Sequence, residues 1–396
     1  MKRISILILG GIFAWTGGFA QNVAVQSAEN YLRNGQLSLA MKSIEPATLD
    51  ATTSQKAKTW YYRGVIYQTI FEDSTKQSLA PNALELAFGS YEQATQLDNK
   101  QEYSDQIKPL LLQLRVDYFN KGIKAVIKND YANGYLDFSH SLAVFNYLNA
   151  HYGVKDVDTL SMIYAAYAAL QTDKLDTAKM LYLKLIDYKY NTTGRYNNMP
   201  RNAYIDLATL YQKQKDTTSA VATLKKGEQV VPNDTVLLIT DLNYAFAQKN
   251  FAQAVNILKI VIALEPNNAR LYYNMGIAYE KLKDAPNAET AYKKAVELDP
   301  KNPDAQYSLG AWYFNQGVQL DKQKQDLPLS EQKKYDDLGK QSDAMFQKAL
   351  PELEKANQMK PNDLETLRAL STLYTITKQD DKAAAIKKQM DSLTGK

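Results

Sequence analysis

A column of small residues constrains this chain more than any other feature. Ala40, Ala87, Gly134, Ala178, Ala220, Ala254, Ala288, Ala349 and Ala383 recur along it, with successive gaps of 47, 47, 44, 42, 34, 34, 61 and 34 residues. Small side chains are what two helices need where their axes cross closely. A spacing of 34 that returns three times marks a repeat unit, and the longer gaps mark extended connectors or insertions. One such unit cannot bury its apolar face alone, so the chain must stack several. The most regular stretch is Ala269–Asn302, which contains Tyr272-x2-Met275-Gly276-x2-Tyr279, then Ala288-x3-Tyr292-x2-Ala295, then Pro300.

The periodicity inside the units is helical. Ala254, Val255, Ile257, Leu258, Ile260, Val261, Ile262 and Leu264 form a broad apolar stripe at helical spacing, suited to a helix packed on two sides. Pro232, Pro266, Pro300 and Pro361 each follow such a stripe, where a residue that cannot continue a helix turns the chain into the next unit. No stretch alternates apolar and polar residues long enough to read as a strand.

Together these residues resemble the tetratricopeptide repeat, whose pattern is W-x2-L-G-x2-Y…A-x3-F…P. The match covers nearly all of the chain after its first residues. The best units are 201–234, 235–268 and 269–302; 57–101, 115–148 and 303–363 are recognisable, and 21–54, 159–192 and 364–396 are weaker. Repeat 57–101 opens on Trp60-x2-Arg63-Gly64-x2-Tyr67, and repeat 303–363 has Leu309-Gly310-x2-Tyr313 and Ala349-x3-Leu353. The departures include Leu242 and Ala245 at the glycine and tyrosine positions of one unit, and Lys387 at an aromatic position of the last. The resemblance implies an all-α, right-handed superhelical solenoid of about nine helix-turn-helix units. The expected organisation is a leader at 1–20, a divergent array at 21–200, a regular array at 201–302, a repeat with an inserted hairpin at 303–363, and a capping repeat at 364–396.

In such arrays the first helix of each repeat lines a concave groove. Carried onto this chain, that places Tyr61, Phe119, Tyr167, Asn243, Phe246, Arg270, Tyr273, Glu280, Tyr307, Phe314 and Arg368 in the groove, together with Val65, Gln68, Ile123, Ile163, Ile205, Thr209 and Gln212. Aromatics mixed with a few polar groups suit an extended peptide or a helix, although each aromatic is equally readable as packing between helices. The Lys/Asn/Asn/Lys/Arg carboxylate clamp of some relatives is echoed only by Asn243, Arg270 and Asn274, without the lysines, so that specificity is not expected. The function implied is a non-enzymatic scaffold or adaptor for a protein or peptide. A carbohydrate- or nutrient-binding protein of the cell envelope is the alternative that aromatic platforms allow.

Catalytic and cofactor signatures are missing from the sequence. It holds no cysteine and two histidines, His140 and His151, which form no recognisable zinc-site pattern. His140 reads as a solvated residue on a helix beside Asp137. No G-x4-G-K-S/T or G-x-G-x-x-G motif occurs. No cofactor or metal is expected. A formal charge of +4, with Lys and Glu interspersed, gives no concentrated basic face for nucleic acid.

Two insertions break the regularity. Repeat 303–363 is 27 residues longer than a 34-residue unit, mostly within 319–348. Two lengthened helices joined at Pro328, with Ser330 as N-cap, are expected; divided equally, the extra length projects each roughly 20 Å. The hairpin is either a contact element or packed on its neighbours. A smaller loop over Phe71–Asn82 is expected before a helix capped by Asn82. Six Asp-Ser/Thr pairs, at Asp73, Asp158, Asp176, Asp216, Asp234 and Asp391, resemble an O-glycosylation acceptor of exported bacterial proteins. Helix capping explains the same residues.

The chain begins Met1-Lys2-Arg3, continues through an apolar run to Trp15, and reaches Gly18 and Ala20. This is the pattern of a secretory leader cut between Ala20 and Gln21, and it implies an exported, periplasmic or secreted product without stable membrane insertion of the mature chain. N-terminal sequencing and intact mass of the exported protein should give a chain that starts at Gln21 and carries no added glycan mass. Retention of Met1 would overturn the leader.

Overall fold

The computed structural model describes residues 13–188 and 199–395, with side chains from Val23 onward, Met199 excepted. The leader expected at 1–20 therefore falls largely outside the described residues. All regular structure among them is helical: α1 (Phe13–Arg33), α2 (Leu37–Leu49), α3 (Ala57–Glu72), α4 (Ala83–Leu97), α5 (Ser104–Ile127), α6 (Tyr131–Tyr152), α7 (Thr159–Gln171), α8 (Leu175–Asp187), α9 (Met199–Lys213), α10 (Thr217–Val230), α11 (Thr235–Ala247), α12 (Phe251–Leu264), α13 (Ala269–Lys281), α14 (Ala285–Leu298), α15 (Pro303–Gln325), α16 (Gln332–Met359), α17 (Leu364–Ile376) and α18 (Asp380–Thr394). None is long and apolar enough to cross a membrane.

The chain forms two compact units, 1–220 and 221–396. In the first, α1 packs on α2, α3 on α4, α5 on α6 and α7 on α8 as antiparallel hairpins. In the second, α11 packs on α12, α13 on α14, α15 on α16 and α17 on α18. The boundary between the units falls within α10.

Most of these helices are 13 to 16 residues long, a length that is marginal in water without tertiary support. Local chemistry sets their starts. Asp130, Asp158, Asp234, Asn250, Asn268, Asp284, Asn302 and Asp363 each accept a first-turn backbone N–H, worth about 1 kcal/mol apiece. Asp216 accepts from Ser219 N at 3.0 Å in the same manner. Capping therefore accounts for three of the six Asp-Ser/Thr pairs, and Asp73 closes a turn onto Thr75. Asn82 stands at the N-cap of α4 without a side-chain bond. Ser330 is not a cap: Glu331 holds that place before α16, also without a side-chain bond.

The turn inside a pair has one geometry in seven places. Gly35, Asn129, Asp173, Lys215, Lys249, Lys283 and Lys378 take left-handed φ values between 53° and 68°. The next residue's N–H then reaches the carbonyl five positions earlier, as in Asp284 N to Tyr279 O and Gln379 N to Tyr374 O. This closes orphan carbonyls at the helix end. The exceptions are the α3–α4 and α15–α16 junctions, the two with inserted length.

Burial follows the small-residue column. Ala40, Ala87, Ala178, Ala220, Ala254, Ala288 and Ala349 are fully buried. Opposite them, glycines of the first helix lie beneath large side chains of the second. A Cβ on Gly276 would sit 2.6 Å from the Tyr292 ring, and one on Gly122 2.7 Å from Phe138. Gly64 lies under Tyr91 in the same way, Gly310 against Leu353 and Gly317 against Phe346.

The α15–α16 pair carries the long insertion as two extended helices, of 23 and 28 residues. They pack on each other beyond the usual repeat: Ser342 Oγ donates to Gly317 O at 2.9 Å, and Lys324 Nζ lies 5.2 Å from the Tyr335 ring. Leu329 at the tip is fully exposed. α5 also starts earlier than expected, at Ser104 instead of near 115, and its added turns bury Ile107, Leu111 and Leu114.

Gly276→Ala should destabilise its unit by about 1–2 kcal/mol, because the overpacking cost exceeds the gain in helix propensity of roughly 1 kcal/mol. Adding Tyr292→Leu should recover part of the loss in a double-mutant cycle. Additive effects of the two changes in thermal unfolding would contradict the close crossing.

Candidate functional site

The first helices of successive pairs lie side by side. In the first unit α1 meets α3, α3 meets α5 and α7 meets α9; in the second α15 meets α17. Among the described residues, no two second helices pack on one another to the same extent. Closer approach on one side of a stack is what curvature towards that side requires, so the first helices form the inner side within each unit.

The expected groove residues all lie on first helices. Asn243, Arg270 and Arg368 are exposed, whereas Tyr61, Phe119, Tyr167, Phe246, Tyr273, Tyr307 and Phe314 are half-buried. In the first unit the aromatics form contacts along the inner side. Tyr61 lies 4.8 Å from Tyr103, Phe119 5.5 Å from both Phe138 and Tyr164, and Tyr167 5.9 Å from Tyr131. In the second unit Phe246 meets Phe251 at 6.1 Å, Tyr273 meets Tyr292 at 6.2 Å and Phe314 meets Phe346 at 5.9 Å. Tyr61, Phe246, Tyr273 and Phe314 pack on the buried clusters of their units, and Phe119 on buried Phe138.

Some expected positions serve the core instead. Gln68 is 2% exposed; its amide oxygen accepts from Tyr91 Oη at 2.8 Å. Ile163 is 6% exposed. Glu280 is half-buried and its Oε2 accepts from Tyr292 Oη at 2.8 Å, which ties it to its own repeat. His140 is half-buried against Tyr118, with ring centroids 5.0 Å apart, and not fully solvated as expected.

One depression opens among the expected groove residues of the first unit. It measures about 380 Å³ and is lined by Ile163, Tyr164 and Tyr167 of α7 and by Asn202 and Asp206 of α9. Asp206 accepts from Tyr182 Oη at 3.0 Å, and burial pushes its carboxyl up to about 6. The repeat pattern does supply Asn202, which holds in 201–234 the place that Arg270 holds in 269–302, but it does not supply Asp206. The only sequence signal for Asp206 is an acid inside the apolar run Tyr204-Ile205-Asp206-Leu207-Ala208. A wider depression of about 520 Å³ lies between α13 and α14, bordered by Tyr272, Met275, Tyr279, Asn287 and Lys294.

A second perturbed acid lies in the other unit. Burial, then the neighbouring Asp241 charge, push Glu228 up to about 7, and burial raises Asp241 as well. Glu228 Oε1 and Asp241 Oδ1 are buried without a hydrogen-bond partner, while Asp241 Oδ2 accepts from Gln253 at 3.0 Å.

Helix pairs with glycine–aromatic crossings, a repeated left-handed turn and first helices set side by side are the architecture of stacked tetratricopeptide repeats. A family model described as TPR repeat matches residues 284–317. The BBSome complex member BBS4 of Bos taurus is 29% identical over 108 residues, 27% of this chain and 21% of that protein. The chain thus spans about a fifth of that relative. Among solved structures, the C-terminal part of a TPR repeat-containing protein from Cytophaga hutchinsonii covers 69% of this chain and 95% of its own, at 18% identity and a TM-score of 0.46. The MamA protein covers 49% of this chain and 91% of its own, at 20% identity and a TM-score of 0.39. The chain is an all-α protein of stacked tetratricopeptide repeats. Proteins of this kind bind protein or peptide partners and are generally not enzymes.

The raised Glu228 predicts a pH dependence of stability. Its folded value of about 7 lies above the ordinary 4.5, so between these the folded state holds more protons than the unfolded one. Stability from this group is complete below about 4.5 and is lost as pH rises to about 7. Glu228→Gln should therefore gain thermal stability over the parent as pH rises through that window. A difference that stays constant with pH would sink the assignment.

Proposed function

We propose that this protein is an exported, non-enzymatic scaffold that holds a protein or peptide segment against the inner side of its stacked first helices. The observation that carries the reading is the set of half-buried aromatics on the first helices of each unit, packed in part on the core and in part open to solvent. Such rings offer large contact area that is already ordered, so little conformational entropy is lost on binding. Exposed Asn243, Arg270 and Arg368 add hydrogen-bonding groups on the same helices, and these favour register and orientation over bulk affinity. The basic and apolar start of the chain, followed by Gly18 and Ala20, supports export.

Crosslinking in intact cells, followed by mass spectrometry, should capture a defined partner. Combined Tyr273→Ala, Tyr307→Ala and Phe314→Ala should reduce that capture by more than tenfold while the helical circular-dichroism signal is retained. Undiminished capture by the folded triple variant would refute the groove.

A further inference from the structure

We infer that the depression between α7 and α9 is a pocket for a cationic side chain, a lysine or arginine carried by the bound peptide segment. This rests on the groove reading and adds a chemical class to it.

Four observations carry the inference. First, the floor of the pocket holds a carboxylate. Asp206 uses Oδ2 to accept from Tyr182 at 3.0 Å, and Tyr182 is itself fully buried. Among the described residues no lysine or arginine forms an ion pair with it. A half-buried carboxylate whose one partner is a neutral hydroxyl has lost much of its hydration without gaining a counter-charge. A cation entering the pocket supplies that charge.

Second, the walls are aromatic. Tyr164 and Tyr167 border the cavity, and π faces beside a carboxylate are the combination that favours ammonium and guanidinium groups. Third, the walls are held. Tyr164 is clamped by Phe119 at 5.5 Å and Phe138 at 5.4 Å, and Tyr167 by Tyr131 at 5.9 Å. The rings therefore need little rearrangement to receive a ligand. Fourth, the ligand is neither a metal nor an anion by donor chemistry. One carboxylate, an amide and two phenols make a poor metal shell, and among the described residues that line the pocket the one charged side chain is Asp206. Exposed Asn202 accepts from Arg201 Nε at 3.3 Å through its Oδ1, and its amide N–H groups can donate to the backbone of an extended peptide.

The test is a phage-displayed random peptide library panned on the full-length protein and on Asp206→Asn and Tyr167→Leu variants. The parent should enrich peptides bearing lysine or arginine. Chemically synthesised versions of those peptides, with the cation replaced by norleucine or citrulline, should bind about tenfold more weakly. Asp206→Asn should lose the preference for the cation, so that the paired peptides bind it alike. Asparagine can still accept the Tyr182 bond; if that variant fails to fold, Tyr167→Leu, at a half-buried site, should weaken the cationic peptide several-fold. If peptides are retained but both folded variants keep the full preference, the pocket is wrong and the groove stands. If the parent retains no peptide, the groove reading fails and the pocket fails with it.

Discussion

Everything in this molecule depends on how closely two helices of a pair can cross. At Gly276 the first helix approaches so near that an added Cβ would enter the Tyr292 ring, and the same holds for Gly122 under Phe138 and Gly317 under Phe346. The large ring fills the space that the missing side chain leaves, and the fully buried Ala288, one turn before Tyr292 on the same helix, leaves room for the close approach. Dispersion contacts at such a crossing are individually small and collectively large. They make a pair of helices too short to survive alone into a rigid brick.

The rings do more than fill space. Tyr292 donates to Glu280, Tyr182 to Asp206, Tyr313 to Glu289 and Tyr374 to Glu354. A tyrosine packed by its ring and fixed by its hydroxyl links the apolar crossing to polar groups beside it. The last three of these bonds run between neighbouring pairs, so they join bricks as well as shape them. The surplus of tyrosine in the composition, 28 residues, is in part the consequence of this double use.

The crossings were legible in the sequence because they demand particular residue sizes at a fixed interval. Ala254 and Ala288 could be placed by spacing alone, and the helix ends before Pro266 and Pro300 by the prolines that follow them. What could not be read depends on neighbours distant in sequence. The start of α5 at Ser104 is set by packing on α3 and α4, not by any local stop signal, so the repeat pattern misplaced it. Gln68 occupies a groove position by register, yet Tyr91 of the partner helix draws it inside. Ser330 has the chemistry of a cap but stands one residue too early. Asp206 became visible as a site only when α7 brought two tyrosines beside it.

The shared turn has a consequence for how such a chain can change. Seven junctions spend a left-handed residue to close the hairpin in a fixed number of steps, and six of these residues are not glycine, each at a cost of roughly 1–2 kcal/mol. The two junctions that abandon the turn, α3–α4 and α15–α16, are the ones with added length. Growth at these two junctions adds length at the tip of a hairpin, where Leu329 stands fully exposed. α5 adds its turns at the opposite end and keeps the Asn129 turn, and there the new residues Ile107, Leu111 and Leu114 are buried. Length added at a tip meets solvent, whereas length added at the base of a pair becomes core.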